Sequence, residues 1–309
     1  MAIQPTEFIW HRGKLIRWEE ATVHVMTHAL HYGSSVFEGI RVYDTAHRGP
    51  CFFRLGDHVD RLFTSARIYA MKVPFTNAEI HAACHEVVAR NGLRAAYVRP
   101  LAYHGYGVIG VHPGPDPVYV SIAAINWGRY LGEDGIEKGV DVCVSSWRRM
   151  TPGTVPALAK AGGNYLSSQL VVTEARRDGY HEGIALGLDG TISEGSGENV
   201  FVVRNGKVHT PGLASSILDG ITRHTVMTNL RELGVEIVEG PIPREMMLIA
   251  DEMFLTGTAA EITPVRSVDR QPVGSGQRGP LTQALQQRFF GLFDGSVDDR
   301  HGWLEELRA

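Results

Sequence analysis

The sequence has few cysteines and almost no charge imbalance. Its 309 residues include three cysteines, Cys51, Cys84 and Cys143, which are far apart and odd in number. That arrangement argues against a disulfide framework and a C-x-x-C metal or redox site, and it indicates a reducing compartment. Lys and Arg total 30 against 34 for Asp and Glu, a formal net charge of −4. The chain therefore lacks the basic field that holds nucleic acid or an anionic membrane.

Signals for export or membrane insertion are also missing. Residues 1–10 contain Glu7 and lack both a basic start and a long apolar core, which argues against a secretory signal. No apolar run approaches the length that spans a bilayer. We therefore expect a cytoplasmic protein whose partners are small molecules or other protein chains. Glycine is frequent, at 35 residues, and scattered, which is typical of a mixed α/β protein with many turns.

Apolar periodicity predicts the first helices and strands. Spacing of i, i+3, i+4 and i+7 indicates a helix over 57–70 and a second over 77–91, with Asn77 as its N-cap. The segment 95–103 is rich in β-branched and aromatic residues and is predicted to be a strand. Pro100 favours an edge or irregular position for that strand because proline donates no backbone hydrogen bond.

The second half of the chain contains two predicted hairpins. Asp189-Gly190 and Asn205-Gly206 each lie between β-rich segments and favour type I′ turns, which require positive φ angles. The other elements predicted here are a strand over 140–146 and helices over 165–178, over 221–233 and from Pro280 onward.

A glycine-rich stretch marks the expected domain boundary. Residues 127–139 contain four glycines and no apolar period, so they are the expected interdomain loop. They separate a smaller N-terminal α/β domain, 1–126, from a larger C-terminal domain, 140–309. This order of elements favours two α/β (α+β) domains with mixed or antiparallel sheets over a regular βαβ alternation.

One motif resembles a dinucleotide site only in part. Residues 105–110 match G-x-G-x-x-G and follow a predicted strand. The proline-rich segment 112–117 comes next and cannot form the helix that would hold a pyrophosphate. A loop is the better interpretation.

Three histidines have the spacing of metal ligands on one helix face. His24, His28 and His31 lie at i, i+4 and i+7, but no H-E-x-x-H is present and their neighbours are apolar. Histidines that are hydrogen-bonded in a packed turn are the better interpretation, so no metal site is expected. A metal hydrolase that uses these residues and a scaffold protein without a cofactor stay open as alternatives.

Four segments together contain the chemistry that pyridoxal phosphate requires. Lys160 lies among small neutral residues, where an amine is poorly solvated and can act as a nucleophile, although alone it favours an exposed loop lysine. Glu194 and Glu198 occupy a glycine-spaced turn. The segments 220–223 and 256–261 could hold a phosphate at a helix N-terminus and in a small-residue turn. An amine, a carboxylate and two anion cradles suit this cofactor.

At these residues the chain resembles the class IV pyridoxal-phosphate aminotransferases, which have fold type IV. The likeness runs from Glu194 to Phe201 and on through Leu218 to Arg223. Within this class the sequence is most similar to the branched-chain amino-acid aminotransferases, and the similarity covers nearly the full chain. It includes the segments 28–33, 37–41, 97–100, 160–165 and 257–264.

The resemblance implies a role for each matched residue. Lys160 would form the internal aldimine with the cofactor and then move the substrate proton, and Glu194 would pair with the pyridine nitrogen. The remaining implied cofactor contacts are Arg61, Ile221, Thr222 and Thr258 at the phosphate and Tyr165 at the phenolic oxygen. The implied substrate contacts are Tyr97, Thr258 and Ala259 for the α-carboxylate, Arg99 for the distal carboxylate of glutamate, and Phe37, Tyr32, Tyr130, Tyr165, Ile109 and Val111 for the apolar side chain.

The implied activity is transfer of the amino group of leucine, isoleucine or valine to 2-oxoglutarate by a ping-pong mechanism. The resemblance also implies that the loop 105–111 closes the active site of a neighbouring subunit. The protein would then be at least a homodimer, with a hexamer built as a trimer of dimers as the larger assembly. The alternatives that share this fold are a transaminase of broad scope, a D-amino-acid or (R)-amine transaminase, and an aminodeoxychorismate-type lyase.

Overall fold

The computed structural model describes residues 3–114, 117–126 and 134–308. Numbered in chain order, the strands of these ranges are β1 Phe8–His11, β2 Lys14–Arg17, β3 Ser35–Phe37, β4 Ile40–Thr45, β5 Gly49–Phe53, β6 Ala96–His104, β7 Val118–Ile125, β8 Val140–Arg148, β9 Glu182–Leu186, β10 Ile192–Gly195, β11 Asn199–Arg204, β12 Lys207–Thr210, β13 Ile237–Glu239, β14 Glu252–Gly257, β15 Glu261–Val268, β16 Gln271–Pro272 and β17 Leu304–Glu306. The α-helices are α1 His28–Tyr32, α2 Leu55–Ile68, α3 Asn77–Arg90, α4 Gly135–Lys138, α5 Tyr165–Arg177, α6 Ile221–Glu232 and α7 Pro280–Asp294.

The chain divides into two compact units. The first comprises Met1–Gly128, Ala159–Gly163 and Leu292–Ala309, and the second comprises Arg129–Leu158 and Asn164–Gly291. The two mixed α/β architectures agree with the predicted fold class. The predicted domain limits at 126 and 139 stay a prediction, and residues 127–133 of the expected interdomain loop lie outside the described residues.

The first unit is an antiparallel sheet covered by two helices. Its strand order is β17-β5-β4-β6-β7-β1-β2, and β3 also pairs with β6. Leu62 of α2 and Ile80 of α3 are fully buried in one core with Val98 and Ile122 of the sheet. The apolar stripe that predicted each helix is therefore the face that packs on the sheet.

Pro100 lies at the centre of this sheet, at an interruption in the pairing of β6, so the predicted irregular position is confirmed and the edge alternative is wrong. It opposes Ile122 of β7 on one side. On the other side β6 pairs with β4 up to Val98 and with β3 from Leu101 onward, so Pro100 faces the break between them. The Pro100 carbonyl accepts the Glu38 N–H at 2.8 Å. Proline has no backbone N–H to donate, and at this position the break in pairing faces the missing donor.

The predicted helices are confirmed with small shifts at their ends, but the N-cap of α3 is Thr76 and not Asn77. The Thr76 hydroxyl accepts the Glu79 N–H at 3.2 Å, and the Glu79 carboxylate accepts the Thr76 N–H at 2.7 Å. This reciprocal capping box satisfies two backbone donors at once, which Asn77 could not do from inside the first turn.

The second unit is built on a mixed sheet. Its strand order is β10-β9-β8-β15-β14-β11-β12-β13, with β16 beside β15. Strand β8 runs parallel to both β9 and β15, and the helix α5 connects β8 to β9. Ile184, Val200 and Leu255 are fully buried in its core. Both predicted hairpins form, as β9–β10 and β11–β12.

The two hairpin turns differ from each other. Asn205 and Gly206 have φ angles of 49° and 74°, as the predicted type I′ turn requires. At the other turn only Gly190 has a positive φ, so the type I′ prediction is wrong there. The Asp189 carboxylate instead accepts the Thr191 N–H at 3.0 Å, and this local bond holds a longer loop.

No helix in the described part of the chain is long and apolar enough to cross a membrane. All three cysteines are buried and have free thiols. Burial raises the pKa of Cys84 above its ordinary value, as expected for a thiol packed among apolar side chains.

A buried ion-pair cluster ties α2 to the sheet of the first unit. Glu38 is fully buried between β3 and β4. Its carboxylate accepts hydrogen bonds from Arg61 Nε at 2.7 Å, Arg61 Nη2 at 2.9 Å and His58 Nδ1 at 2.7 Å. Burial alone would raise the pKa of Glu38, but the adjacent Arg61 and His58 hold it well below its ordinary value of 4.5. The Glu38 carboxylate is therefore ionised, and its ionised form depends on Arg61 and His58.

Replacing Glu38 with Gln should lower the free energy of unfolding by about 3–5 kcal/mol at neutral pH, because Arg61 loses its buried counter-charge. The folded pKa of Glu38 lies below the unfolded one, so its contribution is complete above about pH 4.5 and falls as the pH drops toward the folded pKa. The difference between wild type and Glu38→Gln, measured by denaturant unfolding, should therefore shrink from pH 7 to pH 3.

The exposed Glu86 offers a matched control. Glu86→Gln should change the free energy of unfolding by less than about 0.5 kcal/mol. A Glu38→Gln difference that stayed the same at both pH values would contradict the role assigned to this carboxylate.

Candidate active site

Lys160 is held by its backbone in the first unit. Its N–H donates to Ser65 Oγ of α2 at 3.0 Å, and its carbonyl accepts the Phe37 N–H at 3.0 Å. The next residue, Ala161, forms an isolated bridge to Val36. The Lys160 ammonium nitrogen lies 5.0 Å from the centre of the Phe37 ring. Two hydrogen bonds of the Lys160 backbone therefore fix this residue where its side-chain nitrogen lies beside the Phe37 ring.

Phe37, Tyr97 and Arg99 form one group with Lys160. The Arg99 guanidinium carbon lies 4.6 Å from the Phe37 ring centre, and Arg99 Nη2 donates to Tyr97 Oη at 3.0 Å. Tyr97 and Arg99 are two residues apart on β6, so their side chains share one sheet face. The group presents two cations and a hydroxyl beside an apolar wall.

Gly39 is required for this arrangement. A Cβ atom at this position would lie 1.9 Å from Tyr97 Oη. No real Cβ contact is that short, so any other residue would displace the hydroxyl. In this segment Phe37 contributes the aromatic ring, Glu38 the buried carboxylate that binds Arg61, and Gly39 the space for the Tyr97 hydroxyl.

Arg61 binds Glu38 through two parallel hydrogen bonds. Its side chain is 12% exposed. Its predicted contact with a phosphate stays a prediction. The bidentate bond to Glu38 fixes the direction of the guanidinium.

Glu194 is the centre of a second group, which lies in the second unit. Its carboxylate is buried and accepts hydrogen bonds from Arg149 Nη2, from the Leu218 N–H at 2.9 Å and from Asn199 Nδ2 at 3.3 Å. Asn199 Nδ2 also donates to the Leu218 carbonyl at 2.9 Å. Gly220 is required here, because a Cβ atom would lie 2.0 Å from Asn199 Oδ1.

The two expected anion cradles are also in the second unit. Helix α6 begins at Ile221, and its N-cap residue is Gly220, which has no side chain to cap it. Ile221 and Thr222 are buried in its first turn, where a helix dipole favours a negative charge. Thr258 and Ala259 lie in the turn between β14 and β15. Thr256 precedes that turn, and its buried hydroxyl has no hydrogen-bond partner among the described residues.

The remaining predicted site residues are spread over both units. Tyr165 begins α5 in the second unit. Tyr32, at the end of α1, and Ile109 and Val111, on the 105–111 loop, are exposed in the first unit. Tyr130 lies outside the described residues.

The structure agrees with the interpretation of the three histidines as hydrogen-bonded side chains. His28 is buried, and its ring nitrogens lie 2.7 Å from Ser34 Oγ and 2.7 Å from the Gly110 carbonyl. His24 precedes α1, and its Nδ1 accepts the Met26 N–H, so the three do not share one helix. The 105–110 glycine loop is irregular and is not followed by a helix in the described residues.

Sequence reasoning missed Arg149 and His58. Arg149 is buried against Glu194 and is 45 positions away from it in the chain. His58 reaches Glu38 across 20 positions. No local pattern indicated either residue. The one available signal for Arg149 was the pair Arg148 and Arg149 shortly after the strand predicted over 140–146. A charged residue that is buried beside a strand is rarely without a partner.

The residues present suit pyridoxal phosphate. The first unit supplies a positioned primary amine at Lys160. The second unit supplies a buried carboxylate at Glu194, which could hold a protonated ring nitrogen, and the N-terminus of α6 behind Gly220, which could hold a phosphate. The buried Thr256 hydroxyl is a further polar atom beside the second cradle.

Comparison with known proteins agrees with this chemistry. The family model described as amino-transferase class IV matches residues 35–268. The branched-chain-amino-acid aminotransferase of Salmonella typhimurium strain LT2 is 52% identical over all of both chains. A crystal structure of the Escherichia coli branched-chain amino acid aminotransferase is 52% identical, with a TM-score of 0.96 over 98% of this chain and all of the other.

A further solved structure carries a form of the cofactor. This T.th. branched-chain amino acid aminotransferase, solved with pyridoxamine 5'-phosphate, is 43% identical, with a TM-score of 0.94 over 99% of this chain and all of the other. Identity at this level over full chains, together with the family match, leaves one assignment. The chain belongs to the class IV aminotransferases.

Proposed function

We propose that the protein is a pyridoxal-phosphate-dependent transaminase that moves the amino group of L-leucine, L-isoleucine or L-valine to 2-oxoglutarate. The observation that carries this proposal is the group of Lys160, Phe37, Tyr97 and Arg99 in the first unit. It combines an amine with an apolar wall and a guanidinium. The 52% identity to branched-chain aminotransferases over the full chain supports the same activity.

Bound pyridoxal phosphate supplies the electron sink that makes the substrate Cα–H acidic. Lys160 would hold the cofactor through its amine, and the same amine would move the proton at the substrate Cα. Glu194 holds a proton at the pyridine nitrogen. The ion pair with Arg149 and the Leu218 N–H keep that carboxylate in one orientation.

The phosphate is held by backbone and side-chain donors. We assign it to the first turn of α6 at Ile221 and Thr222, to Thr258 and to Arg61, and we assign the phenolic oxygen to Tyr165. Helix α6 is 12 residues long, and its aligned peptide dipoles give its N-terminus a fixed partial positive charge.

We assign two kinds of substrate to one set of residues. Tyr97, with the amides of Thr258 and Ala259, binds the α-carboxylate, and Phe37 with Tyr32, Tyr130 and Tyr165 contacts an aliphatic side chain. Arg99 binds the second carboxylate of glutamate. Its hydrogen bond to Tyr97 Oη supports this dual use, because the guanidinium has a polar partner when no second carboxylate is present.

The same proposal includes self-association in the cytoplasm. Ile109 is 59% exposed and Val111 87% exposed on the 105–111 loop, and apolar side chains this exposed in one chain are typical of an interface. We propose at least a homodimer in which this loop covers the neighbouring subunit's site. Three free thiols suit a reducing compartment.

A half-reaction separates this activity from the alternatives that share the fold. The protein loaded with pyridoxal phosphate should lose its visible absorption band within one turnover when mixed with L-leucine or L-glutamate. D-Alanine and (R)-1-phenylethylamine should leave the band in place on the same timescale. A faster reaction with either of these would instead assign a D-amino-acid or (R)-amine transaminase.

The control for this experiment is Lys160→Ala. This variant should bind the cofactor without the lysine-linked band and show no turnover. Retention of the band in Lys160→Ala would contradict the assignment of this lysine.

Arg99→Ala should lower kcat/KM for glutamate by about 10- to 100-fold, because a charged hydrogen bond contributes about 1.5–3 kcal/mol. The value for leucine should change by less than about threefold. Steady-state kinetics with each amino donor measure both numbers. Arg99→Lys keeps the charge without the bidentate geometry and should give an intermediate loss, whereas equal losses for the two donors would overturn the role of Arg99.

Gly39→Ala should lower kcat/KM for both donors by about 100-fold, because the new methyl group displaces the Tyr97 hydroxyl that binds the shared α-carboxylate. Gly56→Ala is the matched control, since a Cβ atom there meets nothing within 4 Å. Activity of Gly39→Ala equal to that of Gly56→Ala would show that Tyr97 is not needed in this position.

A further inference from the structure

A cluster of two histidines and a carboxylate lies in the first unit, among residues that the proposed reaction does not use. His81 and His85 are one turn apart on α3, and Glu305 lies on β17. His81 Nε2 is 2.9 Å from Glu305 Oε2, and His85 Nε2 is 3.1 Å from Glu305 Oε1. One ligand atom from each residue lies within 4.8 Å of the other two.

We propose that His81, His85 and Glu305 bind a divalent transition-metal ion of the Zn²⁺ type. Two imidazoles at i and i+4 on a helix, with a carboxylate from a second element, are a typical ligand set for zinc, and water can complete the tetrahedron. Two nitrogen ligands also disfavour Mg²⁺ and Ca²⁺, which prefer oxygen. Glu305 is 220 positions from His85, so no sequence spacing indicated the set.

The site is accessible from solvent. The side chains of His81 and Glu305 are each 26% exposed, while that of His85 is 6% exposed. His81 and His85 also line a surface cavity of about 630 Å³, together with Asp60, Glu86 and Arg308. An ion can therefore enter from the cavity and keep water ligands there.

Metal binding has to replace the hydrogen bonds between the two histidines and Glu305, and also two interactions of Arg308. The Arg308 N–H donates to His85 Nδ1 at 3.1 Å, so the ring carries its proton on Nε2, toward Glu305. When a metal takes Nε2, that proton moves to Nδ1 and the Arg308 amide bond is lost. The Arg308 guanidinium, 3.1 Å from Glu305 Oε1, also competes for the carboxylate, but its side chain is 74% exposed and can move into water.

An occupied site would join α3 to β17. At present these two elements are connected here through hydrogen bonds to Glu305 and through the Arg308 amide. An ion that binds only the folded arrangement stabilises it by mass action. The expected signature is therefore both a stoichiometric binding event and a higher melting temperature.

The test is calorimetric titration of the pyridoxal-phosphate-loaded protein with ZnCl₂, paired with thermal unfolding. We expect about one Zn²⁺ per chain and a melting temperature that rises with Zn²⁺ and not with MgCl₂. His81→Ala and Glu305→Gln change partly exposed side chains and should each weaken this binding by about tenfold or more. Arg308→Ala should strengthen it, because the competing cation is removed.

His301→Ala is the matched control, since His301 is an exposed histidine on the same C-terminal segment outside the cluster. It should bind Zn²⁺ as the wild type does. Unchanged affinity in both His81→Ala and Glu305→Gln, or the absence of saturable binding to the wild type, would overturn the proposal. Either result would leave the cluster as a hydrogen-bonded link between α3 and β17, and neither would affect the proposed transaminase activity.

Discussion

The buried ion pair between Glu38 and Arg61 is the constraint on which the first unit depends. A fully buried carboxylate is stable only with its counter-charge and hydrogen bonds, so Arg61 and His58 must stay in place. These bonds fix α2 against the break between β3 and β4. The neighbours of Glu38 in the chain are Phe37, which faces Lys160, and Gly39, which admits the Tyr97 hydroxyl. The buried charge is thus compensated next to the residues that surround Lys160.

The second unit also contains a buried carboxylate, Glu194, that is paired with an arginine. Glu194 is buried against Arg149, and the Leu218 N–H and Asn199 amide hold its other oxygen. Gly220 lets Asn199 approach closely and is also the N-cap residue of α6. A charge that is held by an arginine and by backbone donors does not need to reorganise during a reaction, which is the condition for electrostatic preorganisation.

Much of the fold could be predicted from local patterns, because burial imposes a period on each element. The stripes of α2 and α3 and the Asn205-Gly206 turn are examples. The errors have two sources, a non-local partner and a competing local hydrogen bond. Pro100 is central because the break between two neighbouring strands faces its missing donor, and Asp189 replaces a positive φ with a side-chain bond. Only the arrangement around Pro100 depends on residues that are distant in the chain.

The sequence by itself determined the family and the glycine-rich turns, and it predicted Lys160 as the cofactor lysine, because each of these lies in a contiguous run of residues with recognisable chemistry. Only the tertiary structure decided which charges meet. Arg149 reaches Glu194 across 45 positions, His58 reaches Glu38 across 20, and Glu305 reaches His85 across 220. The physical reason is that a buried charge is compensated by whatever lies within about 3 Å of it in space, and chain folding sets that neighbour independently of its distance in sequence.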